Sequence, residues 1–166
     1  MPVQVAVCGP RECTEADQAN AYEVGQLLAR AGATVICGGG TGVMAAVSAG
    51  ARSEDGLVIG VRPGANADDA NPDLSAVIVT NIGEARNAVI IWSADAVIVI
   101  GGSWGTLSEL ALAKRRGGIP VINLNGWTLR QADGTPPPDA PTEATSATEA
   151  VDLALRDLRF MGPVGG

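Results

Sequence analysis

Histidine is missing from this chain of 166 residues, and lysine occurs once, at Lys114. Without histidine, the commonest metal ligand and the usual general base near neutral pH are both gone. Zinc-dependent hydrolysis and a Ser-His-Asp triad are therefore poor readings, and no metal site is expected. A single lysine leaves one candidate for a Schiff base, which argues against pyridoxal chemistry. Cysteine is sparse too: Cys8, Cys13 and Cys37 are odd in number and form no Cys-x-x-Cys pair. With no basic-then-apolar leader in "MPVQVAVCGP", they point to reduced thiols and a cytoplasmic location rather than a disulfide framework. No apolar run approaches the roughly 18 to 20 residues of a membrane span, so a soluble protein without a membrane partner is expected. Nor is there a basic excess. The formal charge is -7, which offers nucleic acid no attractive field, and a phosphate ligand would have to be held by backbone dipoles and single arginines.

What the chain does have is an apolar content of 46%, arranged in short runs separated by segments of helical period. The length fits one domain spanning 1–166. The runs lie at 3–9, 33–39, 57–61, 76–80, 95–102 and 119–124, rich in valine and isoleucine and without alternation. Strands covered on both faces read this way. Helices are expected between them at about 14–31, 42–53, 82–93 and 105–116, with a last one at 146–158. Val24, Leu27, Leu28 and Ala31 recur with helical spacing before Gly32, and Ser146 with Glu149 makes a capping-box pattern. The expected fold is α/β: a three-layer, doubly wound, mainly parallel sheet of Rossmann-like type. Segments 62–73 and 125–145 break the rhythm. The second, rich in Pro, Thr, Ala and Asp, is expected to be a long flexible loop, and residues 164–166 to fray.

Two glycine-rich turns follow strands on the edge where ligands of open parallel sheets bind. One contains Gly38, Gly39, Gly40, Thr41 and Gly42; the other contains Gly101, Gly102, Ser103, Trp104, Gly105 and Thr106. Such turns let backbone N–H groups approach an anion at a helix N-terminus, although tight turn geometry alone would also call for glycine. Neither matches a dinucleotide fingerprint or a P-loop, because "GPRECTE" lacks the first and no Gly-Lys-Ser/Thr occurs for the second. Glu109 has two readings. It can close a capping box with Thr106, or it can face a carbon that becomes cationic in a transition state, such as the anomeric carbon of a ribosyl group. Arg86 borders the apolar stripe formed by Ile82, Ala85, Val89 and Trp92, where an arginine either snorkels to water or is held for a purpose.

The stretches "GGGTGVM", "GEARN" and "GGSWGTLSE", in this order and at these strand ends, resemble the LOG family, long mislabelled as lysine decarboxylases, in the branch close to molybdenum cofactor carrier proteins. The likeness covers about residues 3–124. The family signature Pro-Gly-Gly-x-Gly-Thr-x-x-Glu falls on Gly101 to Glu109, with glycine in place of proline and serine in place of one glycine. The family's catalytic arginine falls on Arg86, followed here by asparagine instead of lysine. The first glycine turn is one residue shorter than the usual form. The resemblance implies a nucleotide-binding domain acting as a phosphoribohydrolase, which releases free base and ribose 5-phosphate from a nucleoside 5'-monophosphate. Arg86 and Glu109 would be catalytic, the glycine turns would hold the ligand, and no cofactor would be required. The alternative it implies is a non-catalytic carrier with the molybdenum cofactor, or a nucleotide, as its ligand. In either case a homodimer or larger homo-oligomer is expected.

Overall fold

Valine- and isoleucine-rich runs form β1 (Gln4–Cys8), β2 (Thr34–Cys37), β3 (Val58–Arg62), β4 (Ala76–Val79), β5 (Ala96–Ile100) and β6 (Val121–Leu124) in the computed structural model, which describes residues 1–158. They lie parallel in one sheet, with a short seventh strand, β7 (Thr142–Ala144), at its end; the order is β4-β3-β2-β1-β5-β6-β7. The helices are α1 (Glu15–Arg30), α2 (Val43–Arg52), α3 (Arg86–Trp92), α4 (Trp104–Arg116) and α5 (Ala147–Leu155). No helix among the described residues is long and apolar enough to cross a membrane.

Alternate side chains of each strand go to opposite faces, and both faces are covered. Val5, Val7, Val35 and Ile98 pack with Val24 and Leu28 of α1, Val47 of α2 and Val151 of α5. Ala6, Ile36, Val97 and Val99 pack with Ile90 and Ile91 of α3 and Leu110 of α4. The three-layer α/β architecture expected from the sequence is thus present, and it explains why the central strands are apolar without alternation.

Four local features differ from the expectations. Segment 125–145 contains β7, whose Ile122↔Thr142 and Leu124↔Ala144 register continues the sheet. A strand of three residues with two exposed side chains carries no apolar pattern to reveal it. Helix 82–93 opens with a 3-10 turn at Gly83–Ala85, and α3 begins only at Arg86, because Gly83 takes a positive φ of 61°. Helix α4 starts at Trp104 with Ser103 as its N-cap, so the capping box between Thr106 and Glu109 does not form. At α5, Ser146 accepts from the Glu149 N–H as expected, but the Glu149 carboxylate goes to the N–H and hydroxyl of Thr145. That helix ends at Leu155, earlier than the expected 158. The expected fraying at 164–166 lies outside the described residues.

From β1 the chain runs outward through β2, β3 and β4, then returns to place β5 on the other side of β1. The loops that leave β1 and β5 therefore diverge, opening a crevice at the carboxyl ends of these strands.

Candidate functional site

A cleft of about 650 Å³ occupies that crevice. The loop after β1 contributes Gly9, Pro10, Arg11 and Glu12, and α2 contributes Met44. Pro63, Glu84, Arg86 and Asn87 form the side nearest β3 and α3, while Ser103, Gly105, Thr106 and Glu109 come from the start of α4.

The tip of α4 leaves backbone amides without acceptors beside the cleft. Gly101 turns the chain at φ 67°, and its N–H is anchored to the Leu124 carbonyl at 3.1 Å. Ser103 Oγ accepts from the Thr106 N–H at 3.2 Å and pairs with Thr106 Oγ1 at 2.9 Å. The first helical amides have no intrahelical acceptor, so those of Trp104 and Gly105 remain for a ligand. No acidic residue lies in the first turn. Glu109 is deeper along the helix, so the electrostatic conflict between an anion and a first-turn glutamate does not arise. Gly102 has a different reason to be glycine: a Cβ there would lie 2.2 Å from Cδ1 of Trp127, whose indole covers the turn. Trp104, 78% exposed, meets that indole edge-on at 5.0 Å between centroids.

The first glycine turn plays another part. Gly38 to Gly42 do not line the cleft; their carbonyls are used to fix neighbours. The Gly38 carbonyl accepts from Arg86 Nη1 at 2.9 Å and Arg62 Nη1 at 3.3 Å. The Gly39 and Gly40 carbonyls accept from the Asn71 backbone and side chain at 2.9 and 3.1 Å. Gly42 approaches the β1 loop so closely that a Cβ would stand 2.3 Å from the Arg11 carbonyl. Thr41 is exposed. This turn therefore sets the positions of Arg86 and Arg11 rather than facing the cleft itself.

Arg86 forms no ion pair among the described residues, and hydrogen bonds hold its guanidinium instead of letting it snorkel. Its Nε donates to Asn87 Oδ1 at 2.9 Å and its Nη1 to the carbonyls of Gly38 and Val61. Burial holds its pKa below the ordinary arginine value; Glu109 pulls the other way, and Arg62 and Arg11 add repulsion. Glu109 is 8% exposed. Burial raises its carboxyl to about 7, against the opposing pull of Arg86 and a hydrogen bond with the Cys8 thiol. Cys8 and Cys37 are buried free thiols, both pushed upward mainly by desolvation, and so are neutral.

Of the residues singled out from the sequence, the cleft brings together Arg86, Glu109, Ser103, Gly105 and Thr106. Gly101, Gly102 and Trp104 build the turn behind it. Sequence reasoning missed Arg11, Arg62, Cys8 and Asn87. Arg11 sits in "GPRECTE", a stretch notable only for what it lacks, and no local spacing links it to α4; the crossing from β1 to β5 does.

The model of the SLOG cluster4 family matches residues 2–151. The molybdenum cofactor binding protein from the phototrophic bacterium Rippkaea orientalis superposes with a TM-score of 0.84 and 33% identity, over 95% of this chain and 98% of that one. The molybdenum cofactor carrier protein of Chlamydomonas reinhardtii superposes with a TM-score of 0.79 and 26% identity, over 96% and 99%. The cytokinin riboside 5'-monophosphate phosphoribohydrolase of Mycobacterium tuberculosis is 34% identical over 115 residues, 64% of this chain and 62% of that enzyme.

Proposed function

Given that this chain belongs to the SLOG cluster4 family, we propose that it is a phosphate-ligand-binding protein of the carrier kind, whose cargo is a molybdopterin-type cofactor. The observation that carries this reading is the state of Arg86. A hydrolase needs that guanidinium free to orient substrate and the Glu109 carboxylate. Here its Nε and Nη1 are held by Asn87, Gly38 and Val61, which leaves Nη2 for an anion, and no ion pair joins it to Glu109 among the described residues. Free amides at the tip of α4 and the absence of an Arg86–Glu109 ion pair among the described residues support binding over turnover.

The residues suit the cargo. Molybdopterin ends in a phosphate, which the Trp104 and Gly105 amides and the positive end of α4 would hold. The uncompensated guanidiniums at the other side of the cleft suit a second negative group. Met44 and Pro10 add apolar surface to the cleft, against which a flat ring would lie. The two cofactor-binding proteins superpose over nearly all of this chain, and the phosphoribohydrolase aligns in sequence over 64% of it at 34% identity.

The second reading, hydrolysis of a nucleoside 5'-monophosphate, is favoured by one observation: Glu109 is buried in the cleft, beyond the phosphate-binding tip. In that reading the ionised carboxylate stabilises or attacks the ribosyl carbon. The test is to purify the protein from a host that makes the cofactor, measure molybdenum and oxidised pterin per chain, and assay AMP for released adenine. Near-stoichiometric molybdenum or pterin without adenine supports the carrier. Adenine released with turnover, and no bound pterin, overturns it in favour of the hydrolase.

A second copy of the chain is expected to pair through the face carrying Trp92, 67% exposed, and Ile82, 50% exposed. Light scattering tests this, with a dimer or larger as the expected mass.

A further inference from the structure

We propose that the cleft holds two anionic groups at once, one at the tip of α4 and the other between Arg11 and Arg86, so that its ligand is a small molecule negatively charged at two separated points. The inference deepens the phosphate-binding reading and rests on it for the first of the two positions. The second position rests on its own observations.

Three arginines gather at the cleft. Arg11 and Arg86 line it, and Arg62 lies behind, at the end of β3. Arg62 is 6% exposed, and its Nε has no hydrogen-bond partner. Its Nη1 donates to the Gly38 carbonyl, the same oxygen that Arg86 uses. Two guanidiniums are thus drawn onto one neutral acceptor. Both Arg62 and Arg11 act on Arg86 as like charges.

No carboxylate forms an ion pair with them. Among the described residues the one ion pair is Arg30 with Glu54 at 2.6 Å, so none of the three arginines has an acid within 4.0 Å. Glu12 and Glu84 also line the cleft, but both are exposed to solvent. Glu109 attracts Arg86, yet it is partly protonated at neutral pH because burial raises it to about 7. The buried charge of Arg62 is costly without a partner, and guanidinium is suited to oxyanions through its planar set of donors. An oxyanionic group entering beside Arg86 would neutralise the cluster. A nucleoside monophosphate, whose base end is neutral, would fill one position only.

The probe is tungstate, an oxyanion visible by anomalous scattering, soaked into crystals of the full chain and titrated by calorimetry. Two tungstate ions per chain are expected, one at the Trp104 and Gly105 amides and one between Arg11 and Arg86. Arg11→Gln, at an exposed position, should abolish the second or weaken it at least tenfold while leaving the first. A single ion at α4 overturns the inference and leaves the phosphate reading intact. A single ion at the arginines removes the phosphate position at α4, and the two-anion inference falls with it. A second ion that binds Arg11→Gln as tightly as wild type overturns the assignment, and no ion at either place removes both.

Discussion

Arg86 Nη1 donates to the Gly38 carbonyl at 2.9 Å, tying the start of α3 to the turn between β2 and α2. The contact depends on glycine, since a Cβ at position 38 would stand 2.9 Å from that nitrogen and 2.7 Å from Met44 Sδ. Gly38→Ala must therefore displace the guanidinium and the thioether together. Overpacking of this kind costs about 1–3 kcal/mol. Urea unfolding should register that loss, and ligand affinity should fall with it, because both displaced side chains line the cleft.

Glu109 makes stability depend on pH with an unusual sign. Its carboxyl is raised by burial from 4.5 to about 7, so between these values the folded protein holds a proton that the unfolded chain has released. Folding is therefore favoured by this group at low pH, and the contribution is lost as pH rises through 7. At about 1.4 kcal/mol for each tenfold, the cost of ionising it in place reaches about 3 kcal/mol. Glu109→Gln should be the more stable protein at pH 8.5, by about 1–3 kcal/mol, with the advantage gone near pH 4.5. Denaturant curves across this range check the sign; an advantage that grows towards acid would contradict the burial. If base release from AMP is ever detected, its rate should climb with pH through 7, as the carboxylate forms.

Gly102 and Trp127 make a third test. With 2.2 Å between a Cβ at 102 and the indole Cδ1, Gly102→Ala cannot keep Trp127 on the turn. Loss of the edge-on Trp104 contact should change the intrinsic tryptophan emission, and stability should fall by about 1–3 kcal/mol. Unaltered emission would mean that Trp127 does not rest on this turn in solution.

The strands were legible because burial on both faces imposes a crude requirement, runs of valine and isoleucine, that any central parallel strand must meet. Strand β7 meets none of it: Thr142 and Glu143 are exposed, and only pairing with β6 makes the segment a strand. Helix α4 starts within one residue of the expected 105, but its cap is Ser103 and not Thr106, because "SWGT" offers two capping residues three apart. Glu109 and Arg86 stood out by motif. Arg11, Arg62 and Cys8 did not, since nothing local distinguishes an arginine whose neighbours arrive from another strand.

Two serines with nearly the same local geometry separate capping from binding. Ser103 precedes α4 at φ -155°, ψ 171° and accepts from the Thr106 N–H; Ser146 precedes α5 at φ -149°, ψ 161° and accepts from the Glu149 N–H. Removing either hydroxyl should cost about 1 kcal/mol of stability. Only Ser103 borders the cleft, where its hydroxyl orders the turn whose amides would hold the proposed phosphate. Ser103→Ala should therefore also weaken phosphate binding about tenfold by calorimetry, while Ser146→Ala leaves it unchanged. Equal affinities in the two variants would mean that the α4 tip is only a helix start, because the cap itself has been matched between them.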